Sequence, residues 1–470
     1  MRFIPAFASS LAFATALVCL PSPVFADLAP VSESAAPSAP AFEQMLAHVY
    51  EDNPQLRAER DNLRVLDERV SESTAGFRPT LAFTGEIGYA QVKEEEQAWV
   101  SGQDRNLALV ATQPLYNDAT IGQWHAAKKR VLEGRARLIA TEQKTLMTAI
   151  TAWLDMCEKN QLLVLNRDNN RLTQDYLRET KQRQALGDGT TTDIAVAESR
   201  AADGVTRYAM SQSAFDSARA TFERATGLHA QSGELPAIPP NLPASEEEAA
   251  ALSQENPEIE QAGYEVAATD DDIDAANGAR EPYIFLRGTV SDEHAQELGL
   301  SNLRGDSITI NASIPLYQGG IEYARIREAR IAHEKSRYDA VTAARSVREE
   351  AQEAWTRFTA ALSIDTAAHD ASESSLRALK GIDEEQKHGT RTLTEVLDAQ
   401  AQNLNAQITE LQARTQSRLE AFRLLASVGR LTAKGLNLPT TYYDPVAHYD
   451  EVAARWFGTT VADQAAGYDK

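Results

Sequence analysis

The side chains that could do chemistry are charged rather than nucleophilic. Glu395 and Asp398 stand three positions apart inside a run, 390 to 428, that contains neither Gly nor Pro. On a helix that spacing puts both carboxylates on one face. Taken by itself, such a pair reads as a solvated helix face. Asp270-Asp271-Asp272 reads the same way, with a metal site as the sharper alternative. Ser245 followed by Glu246, Glu247 and Glu248 fits a capping box, with acids at the positive end of a short helix. The eight histidines, among them His48, His125, His333 and His388, are scattered. The chain has no His-Glu-x-x-His, no nucleophile elbow and no phosphate-binding Walker loop. Gly187-Asp188-Gly189 lacks the strand that precedes a dinucleotide loop. This pattern predicts no enzyme, no cofactor and no metal.

The elements that position these charges are written twice. Asn53-Pro54 recurs as Asn256-Pro257, and Pro79 as Pro282. Gln113-Pro114-Leu115-Tyr116 recurs as Ile314-Pro315-Leu316-Tyr317. Gly187 with Thr192-Asp193-Ile194 recurs as Gly389 with Thr394-Glu395-Val396. All four landmarks return after 201 to 203 positions. The chain therefore reads as two copies of one unit, 41–241 and 242–432. Each begins with a helix of medium length, Asn53 to Phe77 and Asn256 to Arg280. Two short strands follow, then a very long helix, a Gly-containing turn and another long helix. Residues 321 to 380 contain no Gly or Pro, nor do 135 to 186. A 60-residue helix is about 90 Å long, which no ordinary globular domain accommodates. In the last helix Leu397, Ala401, Leu404, Ile408, Leu411 and Thr415 alternate in steps of four and three, a coiled-coil-like seam.

The expected strands are 79–90, 105–115, 282–290 and 306–315. In the first, Leu81, Phe83, Ile87 and Tyr89 share one face, with Thr84 and Glu86 opposite. In the fourth, Ile308, Ile310, Ala312 and Ile314 share one face. In the third, Arg287 would face inward, with Tyr283 and Phe285 on its side. Each strand approaches the 9–11 residues that cross an outer membrane at a tilt. Prolines 79, 114, 282 and 315 are expected at the junctions of helix and strand. The polar loops 91–104 and 291–305, with Glu94-Glu95-Glu96, suit the cell exterior. Four strands cannot close a barrel, and lipid does not tolerate an open edge. Two chains would supply eight strands and three would supply twelve; the pattern alone admits either number. The plainer alternative is a small soluble sheet beside a helical bundle.

Arg2, the apolar run Leu11 to Leu20 and the small residues ending at Ala26 predict a secretory signal peptide at 1–26. Val18 before Cys19 does not suit a lipoprotein site, so no lipid anchor is expected. The Ala-, Pro- and Ser-rich stretch 27–40 predicts a flexible leader, and 433–470 an irregular tail. Loss of Arg2 would take the formal charge from -22 to -23, and such acidity argues against a nucleic-acid partner. Cleavage would leave only Cys157, so no intrachain disulfide is expected. No later apolar run reaches 18 residues, which rules out a spanning helix and is silent about strands.

The chain resembles the TolC family of outer-membrane channel-tunnels over roughly residues 41 to 432. The most specific matches are Ile314-Pro315-Leu316-Tyr317-Gln318-Gly319-Gly320 and the stretch from Gly389-Thr390-Arg391 to Leu397-Asp398-Ala399. The stretch from Tyr443-Asp444-Pro445 to Trp456-Phe457-Gly458 is similar to members that serve type I secretion. The resemblance implies a mainly α homotrimer: a long α-helical barrel below a twelve-stranded transmembrane β-barrel, four strands per chain. It implies an outer-membrane location, with most of the chain in the periplasm, and docking on a periplasmic adaptor and an inner-membrane transporter. The implied function is a passive exit duct for type I protein secretion, multidrug efflux or both. The competing reading is a periplasmic coiled-coil adaptor or scaffold. The resemblance also implies that Asp193 and Arg391 form a gate latch between hairpins, through an arginine fork on a carboxylate. Where some relatives carry a Tyr that supports the latch, this chain has Gln386. Glu395 and Asp398 match an acidic constriction, which in a trimer gives six carboxylates around one axis and favours cations.

Overall fold

A computed structural model describes residues 42–93, 98–187, 189–230, 233–294 and 303–460. The expected signal peptide and leader lie outside the described residues. So do Glu94-Glu95-Glu96, Asp188, most of the second strand loop and the last ten residues of the tail.

The first unit contains α1 (Phe42–Asp52), α2 (Pro54–Ala75), β1 (Thr80–Val92), β2 (Val100–Tyr116), α3 (Asp118–Ala185) and α4 (Thr191–Thr226). A short α5 (Glu246–Leu252) leads to the second unit. That unit holds α6 (Pro257–Gly278), β3 (Tyr283–His294), β4 (Leu303–Ser313), α7 (Ile321–Lys387) and α8 (Leu393–Ser427). α9 (Ala447–Val452) lies in the tail. The duplication extends to single hydrogen bonds. Asn53 caps α2 and its Nδ2 donates to Ala225 O at the end of α4; Asn256 caps α6 and its Nδ2 donates to Ser427 O at the end of α8. Each medium helix is thus tied to the far end of its own unit.

α3 has 68 residues and α7 has 67, about 100 Å each. Both exceed the runs free of Gly and Pro. α3 starts at Asp118 and passes through Gly122 and Gly134, and α7 continues through Gly381. Two of these glycines are contact points. A Cβ on Gly122 would stand 2.5 Å from the backbone N of Ala275 in α6, and one on Gly134 would stand 2.5 Å from Leu66 Cδ1 in α2. The helix keeps its glycines where neighbours press closest.

The main core sits midway along α3, where α1, α2 and the ends of α4 and α8 converge. Leu146, Ile150, Leu154, Met45, Leu56, Phe222 and Leu425 are buried there. Phe42 packs on Trp153 and Phe422, and Trp153 on Phe222, with ring centres 5.6–5.8 Å apart. Cys157 is buried beside them, and burial pushes its thiol up to about 12. The first part of the tail packs back on this core through Leu438 and Tyr443, and His448 meets the buried Asp67 of α2 at 3.1 Å. Away from the core the seams become small and polar. α3 buries Asn166, Thr173 and Thr180 at steps of seven, facing Ala197, Ala201 and Gly204 of α4. In α8, Leu397, Leu404, Leu411 and Thr415 of the expected seam are buried, while Ala401 and Ile408 are half-buried.

The four strands form one antiparallel sheet in the order β1-β2-β3-β4. Pro79, Pro282 and Pro315 fall between strand and helix, whereas Pro114 lies inside β2 at a register shift before Tyr116. A bulge tolerates the missing N–H. Register pairs Phe83 with Leu109, Leu109 with Val290, Leu286 with Ile310 and Gly288 with Ile308. Residues in register share a face, so one face is apolar across all four strands. Its large side chains are open to the surroundings: Phe83 is 70% exposed, Ile87 75% and Ile308 80%. The opposite face carries Thr84, Glu86, Asn106, Thr309 and Asn311. Arg287 stands on that polar face beside Phe285, itself stacked on Tyr283.

Candidate functional site: the hairpin tips

The candidate site lies where α3 turns into α4 and α7 into α8. Both long helices end on a glycine with positive φ, Gly187 at 87° and Gly389 at 76°. Glycine enters that region without steric cost. Each following helix opens with the same reciprocal cap. Thr190 Oγ1 accepts from Asp193 N at 3.1 Å, while Asp193 Oδ2 accepts from Thr190 N at 3.0 Å and from its hydroxyl at 2.7 Å. At the second tip Glu395 N donates to Thr392 Oγ1 at 3.4 Å, and Glu395 Oε2 accepts from Thr392 N at 2.8 Å and Oγ1 at 2.9 Å. These are capping boxes that satisfy orphan N–H groups at a helix start. Asp193 and Glu395 are thus equivalent positions of the duplication.

The caps set the electrostatics. Hydrogen bonds from the Thr190 hydroxyl and backbone hold the Asp193 carboxyl below its ordinary range. The Thr392 backbone, then Arg391, then the Thr392 hydroxyl bring Glu395 down to about 2. Arg391 donates from Nε to Glu385 at 2.8 Å and from Nη1 to Glu395 at 2.7 Å, and both bonds raise its pKa further. Lys387 lies between Asp383 and Glu384, each at 2.8 Å.

Of the four site residues expected from sequence, the structure brings Arg391 and Glu395 together on one hairpin. Asp193 takes its hydrogen bonds from Thr190, and Asp398 pairs elsewhere. Arg200, nine positions into α4, donates from Nη2 to Asp398 Oδ1 of α8 at 2.5 Å. That pair crosses from the first hairpin to the second. Sequence reasoning missed Arg200, since 198 positions separate the partners and no local spacing relates them. The other acidic runs have structural work. Ser245 caps α5 by accepting from Glu248 N at 3.1 Å, though Glu248 bonds Ala244 N rather than closing the box on Ser245. Asp272 pairs with Arg130 of α3. Among the described residues, no group of three or more His, Cys, Asp or Glu is placed to hold a metal ion. Nor is any helix among them long and apolar enough to cross a membrane.

Residues 250–430 match the family model described as outer membrane efflux protein. Over 423 residues the chain is 28% identical to the outer membrane efflux protein BepC of Brucella suis, covering 89% of this chain and 91% of that protein. It is 22% identical over 409 residues to the outer membrane protein TolC of Vibrio cholerae, covering 84% and 93%. Its fold is similar to the crystal structure of the Campylobacter jejuni CmeC outer membrane channel, with a TM-score of 0.76 at 12% identity, over 88% of this chain and 89% of that one.

Proposed function

From its likeness to the outer membrane efflux protein family over residues 250–430 and to the relatives above, we propose that the chain is a member of that family and the outer-membrane exit duct of a tripartite export system. It is a passive channel and not an enzyme. It works as a homotrimer, opened by an inner-membrane transporter and a periplasmic adaptor, and serves protein secretion, efflux of small molecules or both. The units 41–241 and 242–432 supply equivalent parts of its wall.

One observation carries this reading. The sheet carries an apolar band on one face across all four strands, and among the described residues its edge strands β1 and β4 have no further strand partner. A soluble adaptor would have to cover that face and both edges. Lipid covers the face, and neighbouring copies cover the edges: β4 of one protomer beside β1 of the next keeps the strands antiparallel. Eight strands leave an interior filled by side chains, whereas twelve leave a passage. Three protomers therefore make a duct.

The hairpin tips form its periplasmic gate. The capping and arginine pairs use Asp193 Oδ2 and Arg391 Nε and Nη1. A latch between the two residues would use Asp193 Oδ1 and Arg391 Nη2, so neither cap has to break. Glu395 and Asp398 supply the acidic constriction.

Purified protein in planar bilayers tests both parts. Detergent-extracted protein is expected to run as an SDS-resistant trimer and to conduct ions. Arg391→Ala and Asp193→Ala are each expected to raise single-channel conductance. Protein that stays soluble after lysis without detergent would overturn the duct. Unchanged conductance in both variants would overturn the latch.

A further inference from the structure

The two acids of the constriction are neutralised in different ways. Glu395 is held by Arg391, four positions earlier on the same hairpin. That pair travels with the second hairpin wherever it moves. Asp398 is held by Arg200, which belongs to the first hairpin. That pair exists only while the hairpins lie side by side. Both partners are substantially exposed, Arg200 41% and Asp398 58%, so their attraction is screened and weak.

The contact behind the pair is loosely packed and partly polar. A small crevice of about 40 Å³ lies there between α3, α4 and α8, lined by Thr173, Arg200, Leu397 and Gln400 among others. Among the described residues, the Oε1 of Gln400 is buried without a hydrogen-bond partner. Leaving such groups unmade in a closed interface costs free energy, and wetting them returns it. The apolar contact between the hairpins at this level is confined to a few α8 side chains, chiefly the buried Leu397 and Leu404.

We propose that Arg200 is the counter-ion that masks Asp398 while the tips are closed, so that parting the hairpins widens the aperture and uncovers a ring of three carboxylates in one step. Aperture and cation preference then switch together, with Asp398 as the state-dependent acid and Glu395 as the constant one. This rests on the duct reading above and adds to it a residue, Arg200, and a coupling.

Hexamminecobalt(III), an inert trivalent cation, added from the periplasmic side of a planar bilayer is the probe. Arg200→Gln is expected to raise conductance and to lower the half-blocking concentration roughly tenfold, because three carboxylates lose their counter-ions. Arg200→Gln combined with Asp398→Asn is expected to keep the higher conductance and lose the tighter block. Arg200→Lys, which preserves the charge, should restore wild-type block. SDS-resistant trimers of every variant show that assembly is intact. Wild-type block in Arg200→Gln overturns the masking role, and so does tight block that persists in the double variant. A wild-type protein that conducts no ions overturns the duct itself, and this inference with it.

Discussion

At Thr392 one hydroxyl serves two partners, accepting from the amide of Glu395 and donating to its carboxylate. Thr190 does the same for Asp193. Removing either hydroxyl should loosen the start of its helix without touching the core. Thr392→Ala is expected to cost about 1 kcal/mol of local stability, read as a roughly fivefold faster hydrogen exchange of the Leu393–Leu397 amides. The carboxylate half of the cap has a pH signature. Glu395 is depressed from its ordinary 4.5 to about 2, so its contribution is fully present above pH 4.5 and is lost as pH falls through about 2. Exchange protection at the second tip should therefore hold from pH 7 to 4.5, once corrected for the intrinsic rate, and Glu395→Gln should remove the loss that follows. A cap is a local object, so Thr-x-x-Asp and Thr-x-x-Glu behind a glycine carry its signal, although the family resemblance points to Asp193 and Glu395 only as latch and constriction. Arg200 was not legible, because its partner is near only after two hairpins have been laid side by side.

The long helices test how far residue type dictates an element. Runs without Gly or Pro mark where a helix is unopposed, and they fixed α7 and α8 closely. The run in the first unit begins only at 135, whereas α3 begins at Asp118. The reason is packing: Gly122 and Gly134 cost helix propensity but allow α6 and α2 to come within contact distance. Burial along neighbouring helices repays a loss that no single-helix rule can see. Gly122→Ala drives its Cβ against the backbone of Ala275, which cannot swing aside. It is expected to destabilise by about 1–3 kcal/mol. Gly381 sits in the same kind of helix with nothing within 4 Å of an added Cβ. Gly381→Ala is expected to stabilise by up to about 1 kcal/mol. Thermal unfolding of the detergent-solubilised protein should move in opposite directions for the two variants. A common direction would mean that propensity, not contact, governs both positions. α1 had no comparable warning in the sequence. It is short, and its five buried residues, Met45 to Tyr50, find their partners on α3 and the tail.

For the whole molecule the deciding feature is which face of the sheet meets lipid. Alternation in β1 and β4 showed it in the sequence, whereas β2 and β3 became readable only through register. Gln113, a polar residue, falls in line with Leu286, and Arg105 with His294. At the end of the strands nearest the loops, the apolar face gives way to charge: Asp292 accepts from Arg304 at 3.0 Å and lies 3.9 Å from Arg105. The apolar band lies between that cluster and the helices. Ile308 and Thr309 are neighbours midway along β4 and point to opposite faces. Arginine at the midplane on a lipid-facing position costs about 2–4 kcal/mol, while a lumen-facing position tolerates it. Symmetry repeats the cost in every protomer, so the penalty for a trimer is tripled. Ile308→Arg is therefore expected to abolish the SDS-resistant trimer and leave the protein outside the outer-membrane fraction. Thr309→Arg should insert and assemble, changing only the ion preference of the lumen. Equal insertion of the two variants would contradict a lipid-facing apolar band, and with it the closure of three four-stranded sheets into one barrel.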